Sequence, residues 1–295
     1  MSKIEEALRR ARAERAGEPT ADGARDEVRD GWGDGERQKP AASRGALIGL
    51  TAAEEIAHMR EERPYGPAEL AQRRIIDKEM TDPRVADAFR QLRTSLLQKS
   101  GDRNFVLTVT SVADGGGTSF VAINLAAAIA LDESKTALVI DCNLRQPSLD
   151  ALLQTEGEAA GLTDYLSGQE PNVERIIHPV GIPRVRLIPT GTQGRSAMEY
   201  FTAPQLGHLI TSLRQRYRER YIIIDAPPVK DSADTRILSE LSDHTLLVVP
   251  YGKTTPAQVA DAAIAIGEEK LVGCVLNNEV RVPLFSTRRP TQTYA

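Results

Sequence analysis

Three glycines followed by two hydroxyl residues, Gly115-Gly116-Gly117-Thr118-Ser119, stand between an apolar run of strand composition, Phe105–Ser111, and an apolar helical pattern that starts at Phe120. A glycine-rich turn in that position points successive backbone N–H groups into one concavity. The helix that follows adds partial positive charge at its N-terminus, so the loop can cradle phosphate oxygens. Ser119 sits where a hydroxyl would reach Mg2+, but the lysine that contacts the outer phosphates in such loops is missing and Thr118 holds its place. Glycines alone also describe a plain tight turn.

Two aspartates weigh against the plain turn. "ALVIDCNLRQPSL" ends an apolar run in Asp141, and "YIIIDAPPV" ends another in Asp225. A carboxylate at the C-terminal end of a strand lies on the edge where α/β sheets bind ligands. One such aspartate is equally well a helix cap; two beside a glycine loop point to one shared crevice, with Asp141 and Asp225 as the groups that do chemistry.

The elements that must position these residues follow from periodicity. "FVLTVTS", "TALVID", "VRLIP", "YIIID", "TLLVVP" and "LVGCVLN" are short runs of Val, Ile and Leu without polar alternation, which suits strands covered on both faces. Helical patterns alternate with them, beginning with "VADAFRQLRTSLL". The expected fold is an α/β, three-layer αβα domain with a mainly parallel sheet over residues 82–283. Residues 1–81 precede it. Within them Met1–Ala16 is an amphipathic helix with Ile4, Ala7, Leu8 and Ala11 on one face, and 17–44 is a polar linker too poor in apolar residues to fold. Thr51–Arg60 and Ala68–Lys78 are helical, separated by Pro64, Gly66 and Pro67, and a flexible tail covers 284–295.

The chain has 295 residues, 41% of them hydrophobic, and a formal net charge of -4, which argues against a general nucleic-acid binder. Cys142 and Cys274 lie in apolar strand-like runs and read as structural thiols. His58, His178, His208 and His244 have no metal-ligand spacing. No apolar run approaches the roughly 18–20 residues of a membrane span, so a cytoplasmic location is expected and any membrane role needs a partner.

At these residues the chain resembles the bacterial tyrosine kinases of capsule and exopolysaccharide synthesis, themselves similar to the MinD/ParA-type deviant Walker ATPases. The likeness runs from Asp82 to about Asn277. Ser111, Gly115, Gly117, Ser119, Asn124, Leu125 and Ala126 match the family's Walker A segment, and Ile140–Ser148 matches its Walker A′ segment, with Asn143 in place of the second aspartate. The Walker B segment is intact as Asp225-Ala226-Pro227-Pro228. "GLTDYLSG" and "VLNN" resemble two further family segments, "MSKIEEALRRA" resembles the start of the exosortase-associated autokinases, and "DAFRQLR" resembles the oligomerisation motif through Asp87, Arg90 and Arg93. Read without the family, those arginines are a solvated helix face.

The resemblance implies ATP or ADP with Mg2+ as cofactors. Gly115, Gly116, Gly117, Thr118 and Ser119 would hold the phosphates, Asn277 would lie near the adenine, and Ser119, Asp141 and Asp225 would hold the metal. It also implies a homo-oligomer, a membrane-embedded chain-length or polymerisation partner, and a position at the inner face of the membrane through that partner. The family's tail carries a tyrosine cluster phosphorylated in trans; here the tail offers only Tyr294.

Losing the lysine removes charge-assisted hydrogen bonds of about 1.5–3 kcal/mol, which weakens binding roughly ten- to a hundred-fold but hits phosphoryl transfer harder. Asn143 can offer an oxygen to Mg2+ but cannot take a proton as a carboxylate can. The two replacements also offset each other in charge. The sequence thus favours a kinase-like scaffold or regulator with weak or absent catalysis. Two alternatives stand beside it: an active autokinase that draws a cation from elsewhere, Lys135 and Lys230 being the candidates, and a MinD/ParA-like positioning ATPase. Of the two lysines, Lys135 reads as an exposed residue ahead of a strand.

Overall fold

The computed structural model describes residues 56, 59, 61, 63–78, 80, 83–101, 103–152, 159–192, 201, 204–217 and 219–278. The N-terminal helix expected over 1–16, the polar linker, most of Thr51–Arg60 and the tail with Tyr294 lie outside the described residues.

Among the described residues seven strands form one sheet: β1 (Val106–Ser111), β2 (Thr136–Asp141), β3 (His178–Pro179), β4 (Val185–Ile188), β5 (Arg220–Asp225), β6 (His244–Pro250) and β7 (Leu271–Asn277). Their order is β3-β4-β2-β5-β1-β6-β7, parallel except where β3 runs antiparallel to β4. All six runs read as strands are strands. The short edge strand β3 has no counterpart in the sequence reading, because two residues leave no period to read.

The helices are α1 (Pro67–Gln72), α2 (Pro83–Ser100), α3 (Thr118–Ala130), α4 (Leu162–Leu166), α5 (Pro204–Arg216), α6 (Ala233–Leu241) and α7 (Pro256–Ile266). Side chains alternate across each strand and so feed two layers. Leu107, Val109, Val139 and Ile223 pack with α2 and α3, whereas Val106, Leu138, Ile140, Ile222 and Ile224 pack with α4 and α5 on the other side. Leu247 and Val249 meet α7. Two threonines of β1 point toward the second layer with their hydroxyls satisfied, Thr108 donating to the Leu238 carbonyl and Thr110 to that of Pro227. That is how a strand buried on both faces carries polar β-branched residues at little cost.

Residues 65–76, which the sequence places ahead of the boundary at Asp82, pack on the same core. Tyr65, Leu70, Ile75 and Ile76 are buried with the α2–α3 layer. The Tyr65 amide donates to the Gly181 carbonyl at 2.8 Å and its hydroxyl to that of Leu152 at 3.1 Å. The expected helix over Ala68–Lys78 is corrected to Pro67–Gln72. Arg74 adopts a left-handed φ of 56°, and Ile76 gives its amide to the Asn124 side chain at 2.8 Å instead of to a helical carbonyl. A buried tertiary hydrogen bond and the burial of two isoleucines win over local helical propensity.

Candidate functional site

The crevice forms where strand order reverses. β1 feeds the glycine loop and α3, while the chain returns as β2 two positions away with β5 between them, so the loop and the ends of β2 and β5 meet at one edge.

Gly115, Gly116 and Gly117 form the turn into α3. Gly116 packs so tightly on Ser111 that a Cβ there would lie 2.5 Å from the Ser111 Cβ. Gly117 has φ of 87° and faces the Asn277 side chain, whose amide donates to the Gly116 carbonyl at 2.9 Å. Asn277, expected near an adenine, thus ties the end of β7 to the loop. Gly117 is the N-cap of α3 and has no side chain to accept from the first amides of α3, although its carbonyl accepts from the Val121 amide at 3.0 Å. α3 can lie close on the sheet because it is apolar all round and rich in alanine, with 11 of its 13 residues buried, Thr118 among them.

Asp141 and Asp225 are the last residues of β2 and β5 and are register partners. Both are fully buried. Asp141 Oδ1 accepts from the Asn143 amide at 3.0 Å, but Asp141 Oδ2 and both oxygens of Asp225 have no hydrogen-bond partner among the described residues. Burial pushes the Asp225 carboxyl well above the usual carboxylate range, and the neighbouring Asp141 adds to the push. The Ser119 hydroxyl is near enough to offset part of this without reaching hydrogen-bonding geometry. Burial likewise raises Asp141, against the pull of the Asn143 amide and with a further push from Asp150.

Two acidic residues that sequence reasoning passed over belong to this surround. Asp150 follows the A′ segment and accepts from Thr190, and Asp234 starts α6 and acts on the buried thiol of Cys142. Their signal was present in the sequence as aspartates shortly after each strand end, but nothing there says that the loops after the strands turn these side chains back toward the crevice. Among the described residues no three of these side chains form a metal cage. A Mg2+ ion does not need one, since it is commonly held by one or two carboxylates with water and phosphate oxygens completing its shell. Three orphaned buried oxygens beside the Ser119 hydroxyl suit such an ion, and the cradle of Gly116 and Gly117 suits phosphate.

The candidate replacement cations differ in place. Lys135 is partly buried, not exposed, and pairs with Asp132 at 2.5 Å at the start of β2, the opposite end of the sheet from the crevice. Lys230 is exposed and, with Lys253, lines a cavity of about 310 Å3 next to Val112 and Ala113, where the loop begins.

The expected oligomerisation residues divide. Arg90 pairs with Asp87 at 2.8 Å on the exposed surface of α2, whereas Arg93 turns inward and donates to the Ala128 carbonyl near the end of α3 at 2.9 Å. Asn124, matched in the sequence without a role, is fully buried. It accepts from the Ile76 amide and donates to the carbonyls of Arg74 and Phe120.

With this geometry in place, the comparisons with known proteins are specific. No family model matches the chain. It is 29% identical over 206 residues to the tyrosine-protein kinase CpsD of Streptococcus agalactiae serotype III (strain NEM316), covering 69% of this chain and 87% of that protein. Its homologues are bacterial tyrosine-protein kinases. A second, the tyrosine-protein kinase wzc of Salmonella typhimurium (strain LT2), is 31% identical over 198 residues; the match takes 66% of this chain but spans only 27% of wzc. The kinase domain of the Escherichia coli tyrosine kinase ETK shares the fold with a TM-score of 0.61 at 23% identity, over 79% of this chain and 92% of that domain. The likeness to ETK confirms the expected P-loop-type α/β architecture.

Proposed function

We propose that this chain is a tyrosine-kinase-like nucleotide-binding protein that regulates or scaffolds exopolysaccharide or capsule synthesis, with weak or absent phosphoryl transfer. The observation that carries it is the pair of fully buried, register-matched carboxylates with unpartnered oxygens, Asp141 and Asp225, beside a glycine loop whose lysine position is Thr118. In this reading the loop amides from Gly115 to Ser119 hold phosphate oxygens, and Ser119, Asp141 and Asp225 hold Mg2+. The bound metal supplies positive charge against the phosphates. Asp141 and Asp225 position that charge, and Asn277 keeps the loop closed on β7. Thr118 adds no charge opposite a transferring group, and Asn143 cannot accept a proton, so the residues serve binding better than catalysis.

The pathway and the membrane-embedded chain-length or polymerisation partner come from the resemblance to the kinases of capsule and exopolysaccharide synthesis. Among the described residues no helix is long and apolar enough to cross a membrane. Fluorescent-nucleotide titration with and without Mg2+, alongside radiolabelled ATP offered to wild type and Tyr294→Phe, tests the reading. Weak, Mg2+-dependent binding with no label on Tyr294 is expected. No binding under either condition overturns the nucleotide site, and label that disappears in Tyr294→Phe overturns the loss of catalysis.

A second reading, an active autokinase, is favoured by the placement of Lys230 and Lys253 at the start of the loop beside Ala113. Transfer abolished by Lys230→Ala or Lys253→Ala with nucleotide binding retained is its signature.

A further inference from the structure

Between α2 and the edge strand β7 lies a groove of about 760 Å3 whose walls include Val85, Ala88, Leu92 and Leu276, with Phe120 facing into it. Val85 and Leu276 are 39% and 49% exposed, unusual for two large apolar side chains in one cavity. Arg74 and Arg84 also line it, and at one end it reaches Gly117 and Asn277.

The chain leaves the sheet at this groove. β7 ends at Asn277, and Asn278, itself part of the lining, has a left-handed φ of 61° that turns the backbone off the line of the strand. The next residues read Glu279-Val280-Arg281-Val282-Pro283-Leu284-Phe285. Val280, Val282, Leu284 and Phe285 supply an apolar set, Glu279 supplies a charge opposite to that of Arg74 and Arg84, and Pro283 lacks the N–H needed to continue sheet pairing. Seven residues reach about 23–25 Å when extended, more than enough to cross from a strand to a helix packed about 10 Å away.

We propose that Val280–Phe285 of the same chain docks in this groove, covering Val85 and Leu276 and setting Glu279 against Arg74 and Arg84. A segment tethered one residue from its site is present at millimolar effective concentration, which favours it over the same segment from a second copy.

The test uses the full chain and a fluorescein-labelled peptide of residues 279–285, read by anisotropy without nucleotide, so that its result is independent of the nucleotide reading. Val282→Asp with Leu284→Asp should release the segment, and the peptide should bind this variant at least tenfold tighter than wild type. Adding Val85→Asp, a change on an exposed part of α2, should abolish that binding. Equal affinity for wild type and the released variant, no binding to either, or indifference to Val85→Asp each overturns the proposal. So does peptide binding to wild type that tightens on dilution, which would assign the segment to a second copy.

Discussion

Asp141 and Asp225 stand side by side in register as the terminal residues of neighbouring parallel strands, fully buried and with three of their four oxygens unpartnered among the described residues. Two carboxylates so placed repel one another when both are ionised, and the backbone amides that reach Asp141 do not offset the cost of burial. Such an arrangement weakens the fold unless a cation or a proton occupies the space between them.

The pH dependence of stability follows from that relation. Both folded-state pKa values are raised, so the pair costs nothing while protonated, and stability falls as pH rises from the ordinary carboxylate range through the raised values. Asp225→Asn should therefore raise the melting temperature at pH 8 by about 2–6 °C, on the order of 1–2 kcal/mol for a domain of this size, and change it little at pH 4. Added Mg2+ should stabilise wild type and not the variant. Differential scanning fluorimetry across pH decides this, and a variant less stable than wild type at pH 8 contradicts it.

Restoring the missing groups gives a thermodynamic cycle. Thr118→Lys should tighten Mg2+-nucleotide binding about ten-fold, and Asn143→Asp alone should help little or hurt, since it adds a carboxylate beside Asp141. The double change should bind better than the sum of the two. Titration of the four proteins yields the coupling energy, and a coupling near zero argues against a shared site.

The loop and β7 should prove energetically coupled through Gly117 and Asn277. Gly117→Ala places a methyl group against the Asn277 amide at a left-handed φ, a loss of about 1–3 kcal/mol by denaturant unfolding. Asn277→Ala removes the tie to the Gly116 carbonyl and should cost about 1 kcal/mol. Together they should cost less than the sum, because the second change removes the clash created by the first. Strict additivity would mean that the two residues do not meet.

Arg90 and Arg93 should separate by assay. Arg93→Ala loses the bond to Ala128 and should lower stability by about 1 kcal/mol, whereas Arg90→Ala removes a surface pair worth roughly 0–1 kcal/mol. If the exposed face of α2 mediates self-association, Arg90→Ala weakens it in light scattering while leaving the melting temperature in place. A wild type that stays monomeric at high concentration removes that role.

Most of the fold was legible because its strands are uninterrupted apolar runs ending in chemistry-bearing residues, as with "YIIID" and Asp225. The pairing of Asp141 with Asp225 was readable only as two strand ends sharing an edge, since register depends on strand order. Asn124 shows the limit most clearly. Its place in α3 was plain, but its partners Ile76 and Arg74 lie 48 and 50 residues away, and the same contact cut short the helix expected over Ala68–Lys78. Asp150 and Asp234 escaped for a similar reason: each looks local until its loop turns the side chain back toward the crevice.

The segment from Tyr65 to Ile76 is bolted at both ends, at Gly181 and Leu152 through Tyr65 and at α3 through Asn124, with Arg73 stacked on the Tyr65 ring and bonded to the Ala151 carbonyl. A mechanical pull on the chain ahead of residue 59 is taken up first by the contacts of Met59 with Arg220 and of Glu61 with Arg186 and the Gly181 amide, and then by the Tyr65 bonds, in the neighbourhood of the segment that follows Asp141. Only after those yield does tension reach Asn124 and the helix behind the glycine loop. Whatever tugs on the N-terminal side of this protein therefore acts through a series of fuses, Glu61 before Tyr65, and the crevice feels the force only after both have given way.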